Sequence, residues 1–365
     1  MARVTRSEVF GADEVAVVHA FCRTTRRCFL LGKDDLTGKN YDHRKAWVER
    51  ELSRLAGCFG IDLLTFAVMS NHVHVMLRSR PDVVKAWSDK EVARRWWTAC
   101  PKRKRDDGLA EEPTEQELAV IRNDKDLMVK VRLRLSDISW WMRLMCQKIA
   151  QRANREDQAT GKFWESRFKA TRLLDEASVL ACAAYVDLNP IRSGLAKVLE
   201  KSPHTGIRCR VAALQANAPE SSADGDVSQA AELAKSPDAF LSPVDLCERS
   251  GKSGVQRCKH GRRASDKGFL PLSRERYVEL LDWTARRLRS DKAGSTPADL
   301  APVLERLGLS ELVWLPLVSG FHEYFAVAAG HPKSIDDART RDGHRAFNCR
   351  RANRDLFGAP VSNLE

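Results

Sequence analysis

Ten cysteines are scattered through the 365 residues without one C-x-x-C pair, so a disulfide framework is not expected and a reducing cytoplasm is. No segment reaches the roughly 18 consecutive apolar residues that a bilayer span needs. Even VWLPLVSGFHEYFAVAAG is interrupted by Pro316, His322 and Glu323. The opening MARVTRSEVFGADEV lacks the apolar stretch of a secretory signal, so no membrane association is expected. There is no internal repeat. Residues 216 to 228, ANAPESSADGDVS, are poor in bulky apolar types and are the best candidate for a linker. Over the full sequence, 43% hydrophobic and 30% charged residues exclude a wholly disordered chain.

Acidic charge is also in deficit. The net charge is +12 and the pI about 9.3, with +8 in residues 1 to 200 and +4 beyond. A surface of this sign attracts polyanions, nucleic acid foremost. The length exceeds that of a usual single domain, which predicts a catalytic domain plus an appended region.

Residues 15 to 22, VAVVHAFC, read as a strand, and residues 43 to 59 place Trp47, Leu52, Leu55 and Phe59 at the spacings of an amphipathic helix ended by Gly60. The runs 61 to 69 and 72 to 78, joined at Ser70 and Asn71, predict an antiparallel hairpin. A helical excursion follows from Pro81 to Gln158. Residues 161 to 174 alternate as a strand, and 175 to 188 read as a helix with Asp175 as N-cap and Pro190 as terminator. The order predicts an α+β fold with helices packed on an antiparallel, ferredoxin-like sheet. The expected domains are 1–205, with a helical insertion at about 81–158; a linker at 206–230; and a helical C-terminal region, 231–365, of unknown role.

In NHVHV, alternation along a strand puts His72 and His74 on one face, where two imidazoles can chelate one divalent cation if a third ligand completes the site. In CAAYVDLNPIRSGL, Tyr185 and Asn189 stand four residues apart, on one face of a helix near its end. Taken singly, the first motif also describes two histidines on a polar strand face. The second also describes a half-buried tyrosine with a capping asparagine.

Together and in order, MSNHVHVML, FWESRF and AAYVDLNPIRSGL resemble the single-tyrosine HUH transposases of bacterial insertion sequences, nearest the REP-associated tyrosine transposases, over roughly residues 10 to 200. The resemblance implies a single-stranded DNA transposase or endonuclease that works through a 5′-phosphotyrosine. Tyr185 would be the nucleophile, His72, His74 and Asn189 the metal ligands, and Mg2+ or Mn2+ the cation. Hairpin-bearing single-stranded DNA is the expected substrate, and the protein would be a monomer or a homodimer. The 111-residue step from His74 to Tyr185 is longer than the family's, and the excess falls between Pro81 and Gln158.

Basic residues near the motifs, Arg78, Arg167, Lys169 and Arg192 foremost, with Arg80 and Arg172, offer a track for the DNA backbone. Trp164 could stack on a base, and the cluster Lys102, Arg103, Lys104, Arg105 could bind phosphate as a group. A histidine-triad hydrolase is disfavoured by Met76, and a cupin by the long helical stretches. The readings left standing beside a transposase are a replication-initiator-like nickase and a domesticated DNA-binding protein.

Overall fold

The computed structural model describes residues 5–11, 13–34, 37–106, 108–217, 234–246, 262–288, 301–340 and 346–358. The chain is α+β. Its strands β1 (Val17–Arg23), β2 (Ile61–Val68), β3 (His72–Ser79), β4 (Lys169–Leu173) and β5 (Ala328–Ala329) form one sheet in the order β2-β3-β1-β4-β5. The first four pair antiparallel. β5 pairs parallel to β4, so the sheet is mixed and not wholly antiparallel.

Helix α1 (His43–Cys58) crosses from β1 to β2. Helices α2 (Pro81–Ala86), α3 (Asp89–Ala99), α4 (Glu115–Asn123), α5 (Lys125–Ser136) and α6 (Ile138–Glu156) lie between β3 and β4. α6 belongs with the sheet: Arg44 of α1 pairs with Glu156 and Asp157 at its end, and Cys22 of β1 meets its Cys146. The excursion beyond the sheet's own layer is therefore α2 to α5, shorter than the expected 81–158. Only Lys169–Leu173 of the run 161–174 is a strand. Ahead of it, Trp164 makes an isolated bridge to Thr24 and donates its indole N–H to the Cys146 carbonyl at 2.8 Å, a packing role in place of a stacking platform.

The opposite face of the sheet is covered by α7 (Glu176–Asp187) and α9 (Gly206–Gln215), with the four-residue α8 (Asn189–Arg192) between them. Asp175 caps α7 by accepting from Ser178 N at 2.9 Å. Of the twelve α7 residues only Glu176 is not buried. A helix buried nearly all round lies inside a protein, and here α12 (Glu311–Tyr324) packs against α7 while its His322 reaches His19 and Phe21 of β1. Helices on both faces of the sheet explain why every residue of β2 is buried. The C-terminal helices are α10 (Arg274–Leu288), α11 (Ala301–Arg306), α12, α13 (Pro332–Thr340) and α14 (Arg351–Gly358).

Two boundaries need correction. The linker expected at 206–230 begins with α9, whose Gly206 approaches β2 so closely that a Cβ there would lie 2.1 Å from Thr65 Oγ1. Residues 218–230 lie outside the described residues. The C-terminal region is also no separate appendage: it supplies β5, covers α7, and covers the edge of β2 through the bond from Ser242 N to the Leu63 carbonyl at 2.8 Å.

Candidate metal and nucleophile site

The register of the three central strands builds the site. His72, His74 and Met76 of β3 stand opposite Arg23, Phe21 and His19 of β1, and alternation sends all six toward α7. A bulge between Leu63 and Thr65 shifts β2 by one residue, so that Thr65 comes opposite Met76 on the same side. There its hydroxyl donates to Asp187 at 2.5 Å. Asp187 also accepts from Ile207 N at 3.0 Å and Tyr277 Oη at 2.6 Å. This buried carboxylate ties the end of α7 to β2, α9 and α10.

That anchoring places Tyr185, one half-turn earlier, over the histidines. Its ring centroid lies 5.6 Å from that of His74, 6.1 Å from His19 and 5.3 Å from His322. The rings of His72 and His74 are 4.8 Å apart. Phe321 and His322 of α12 pack against the phenol, leaving Tyr185 8% exposed. Gly320 departs from helical angles just before them, and Arg350 donates to the carbonyls of His322 and Glu323 at 2.7 and 2.9 Å, holding the end of α12 in place.

The imidazoles are set up as neutral donors. His72 Nδ1 meets Asn71 Oδ1 at 2.6 Å, a contact that fixes the Nδ1–H tautomer and leaves Nε2 as a lone pair. His74 Nδ1 faces His19 Nε2 at 2.9 Å. Burial is the main cause that holds all four histidines below the usual imidazole range, with Arg23, Arg192 and the other rings adding to it. His72 and His322 are held down to about 4, and His19 and His74 well below 6.5. Burial raises the Tyr185 phenol above its ordinary value, and Arg192 opposes this. The Arg192 guanidinium lies 4.1 Å from the centre of the phenol ring.

These residues fit a cation. Three imidazoles come from adjacent strands, His72 and His74 from β3 and His19 from β1, and among the described residues His19 Nδ1 and His322 Nε2 are buried without a hydrogen-bond partner. The donors of His19, His74 and His322 all lie within 4.8 Å of one another. Neither His19 nor His322 belongs to a recognisable motif. Their only signal in the sequence was a histidine within an apolar strand and another in a broken apolar helix.

The remaining expected residues fall into three groups. Asn189 is buried at the start of α8, its carbonyl accepting from Ser193 N at 3.0 Å and Ser193 Oγ at 2.9 Å. Among the described residues no hydrogen bond joins its amide to His72 or His74. Arg167 and Lys169 are exposed, with Lys169 Nζ 5.4 Å from the Phe21 ring centre, and Arg192 lies in the site. Arg78 is not a surface contact: it is buried, pairs with Asp62 at 2.6 Å and donates to the carbonyls of Lys267 and Gly268. Arg80 is likewise buried, against Asp62, Asp82 and Ser265. Arg172 pairs with Glu14 at 2.5 Å. In the basic cluster, Arg103 is bound to Glu111 and Glu117.

No family model matches the chain, and no curated protein does. Among solved structures, a REP-associated tyrosine transposase bound to a REP hairpin is similar at 14% identity, over 62% of this chain and 93% of that one, with a TM-score of 0.32. Superposition at that level assigns neither fold nor chemistry to this chain. Among the described residues no helix is long and apolar enough to cross a membrane.

Proposed function

We propose that the chain is a metal-dependent transposase or endonuclease of hairpin-bearing single-stranded DNA, with Tyr185 as nucleophile. The observation that carries this reading is the seating of the Tyr185 phenol 5.6 Å from His74, on the sheet face that also bears His72. The strand order, with β1, β3 and their antiparallel neighbours and with α1 and α6 on one face, supports a ferredoxin-like core of the HUH kind.

In the reaction, the Tyr185 oxygen loses its proton and bonds to phosphorus, the bond to the 3′-oxygen breaks, and that oxygen takes up a proton. The products are a 5′-phosphotyrosine and a free 3′-hydroxyl. A hydroxyl from a second strand can reverse the step, because the covalent link conserves the bond. Arg192 lowers the cost of the phenolate, and Arg23 and Arg192 add positive charge where a phosphodiester would sit. His72 and His74 would hold the cation, with the rest of the donor set coming from Asn189 or from His19 and His322. Such a cation supplies Lewis acidity toward the phosphodiester oxygens. Lys169, whose ammonium lies 5.4 Å from the Phe21 ring on this face, and Arg167, exposed nearer α6, would guide the DNA backbone. The protein would act as a monomer or a homodimer.

The test is incubation with hairpin-bearing single-stranded DNA and a divalent cation, followed by a denaturing gel. A covalent adduct that Tyr185→Phe abolishes is the expected result, and its absence from wild type overturns the reading. The burial of Tyr185 favours a second reading, a domesticated DNA-binding protein that does not cleave. Retarded DNA on a native gel without any adduct would establish it.

A further inference from the structure

The histidine pair of β3 does not exhaust the imidazoles at this site. His19 comes from β1 and is wholly buried. His322 comes from the last turn of α12, some 250 residues beyond the pair. Their donor atoms and that of His74 lie within 4.8 Å of one another, and the rings of His19 and His322 stack at 5.2 Å. Among the described residues, His19 Nδ1 and His322 Nε2 have no hydrogen-bond partner. A buried polar atom left unpaired is costly, so two of them on neighbouring rings mark a position suited to a ligand.

The spacing and the chemistry select the kind of ligand. Two nitrogens each about 2.1 Å from one cation sit about 3.0–3.4 Å apart for angles between 90° and tetrahedral. His19 Nε2 and His74 Nδ1 stand at 2.9 Å and share one proton, and a cation would take that proton's place between them. Carboxylates, which Mg2+ and Ca2+ require, are absent from the trio, and the charged groups acting on His322 are Arg192, Lys169, Arg350 and Arg23. An all-nitrogen donor set suits a borderline transition-metal dication, and Mn2+ is the weakest of these toward nitrogen.

We propose that His19, His74 and His322 hold a divalent cation of the Zn2+ class, with His322 in the place expected of Asn189 and His19 in the place expected of His72. The cation is then a link between β1, β3 and the C-terminal region, and the site is complete only with α12 in position. Three protein nitrogens are the number that leaves a position for an outside ligand. The inference rests on the proposed function only for what the cation does there, because binding itself is measured without DNA.

The full chain, stripped with chelator, is titrated with Co2+ as a visible probe and with Zn2+ in competition, and metal is counted by mass spectrometry after gel filtration. One equivalent of Co2+ is expected, displaced by Zn2+ and not by Mg2+. His322→Gln should weaken uptake at least about tenfold, His19→Gln likewise, and Asn189→Ala should leave it unchanged. No stoichiometric uptake, or uptake unaffected in His322→Gln, overturns the inference. Loss confined to His72 and His74 variants would assign the cation to the β3 pair. Circular dichroism checks each fold, and should His19→Gln fail to fold, the less buried His322 decides. A wild type that takes up Co2+ yet forms no DNA adduct ends the nuclease reading alone, while adduct formation without Co2+ uptake ends this one alone.

Discussion

The imidazoles of His19 and His74 face one another across neighbouring strands, Nε2 to Nδ1 at 2.9 Å, although register pairs neither with the other. The diagonal contact makes His74 both a site residue and part of the buried packing, which separates it from its motif partner.

His72→Ala and His74→Ala should both stop cleavage, yet differ in stability. His74 is 3% exposed, and its removal leaves a cavity and an unpartnered His19 nitrogen, at a cost of about 2–3 kcal/mol. His72 is only partly buried, and its loss should cost under about 1 kcal/mol. Urea unfolding of both variants beside wild type measures the difference; equal costs would contradict it.

The basic residues should sort into two kinds. Arg78→Ala should destabilise by about 3 kcal/mol, the low end for a broken buried pair because Arg80 still faces Asp62. Lys169→Ala and Arg167→Ala should change stability by less than about 0.5 kcal/mol. Each should instead weaken single-stranded DNA binding and flatten its salt dependence by about 0.7 in log–log slope. Equilibrium binding at several salt concentrations reads both effects.

The Asp187 hub should be sensitive at its periphery. Tyr277→Phe removes a 2.6 Å bond to a buried carboxylate and should cost about 1.5–3 kcal/mol. Gly206→Ala drives a methyl to within 2.1 Å of Thr65 Oγ1 and should cost about 1–3 kcal/mol. Because both loosen the anchor of α7, adduct yield should fall along with the thermal midpoint.

Within the excursion, Glu117 closes a capping box with Thr114 and binds Arg103. These bonds, Arg103 first, hold its carboxyl down to about 2. The folded value lies below the unfolded one of about 4.3, so its stabilisation is present above pH 4.3 and is lost as pH falls through about 2. An NMR titration of the Glu117 carboxyl should give the depressed midpoint, and Arg103→Ala should return it most of the way.

Much of this fold was legible because its signals are local. Two strand-like runs joined at Ser70 and Asn71 located β2 and β3, and the Asp175 cap and Pro190 located α7. The face shared by His72 and His74 followed from the pleat alone. What tertiary structure decided came from contacts between residues far apart in sequence, for which local periodicity carries no signal. Arg78 reads as a surface cation until Asp62 and the carbonyls of residues 267 and 268 enclose it, and α6 reads as part of an insertion until Arg44 and Cys22 tie it to the sheet. His19 and His322 carry no motif at all. Only the crossing of β1 beside β3, and the packing of α12 against the buried α7, bring those two rings to the histidine that the sequence had singled out.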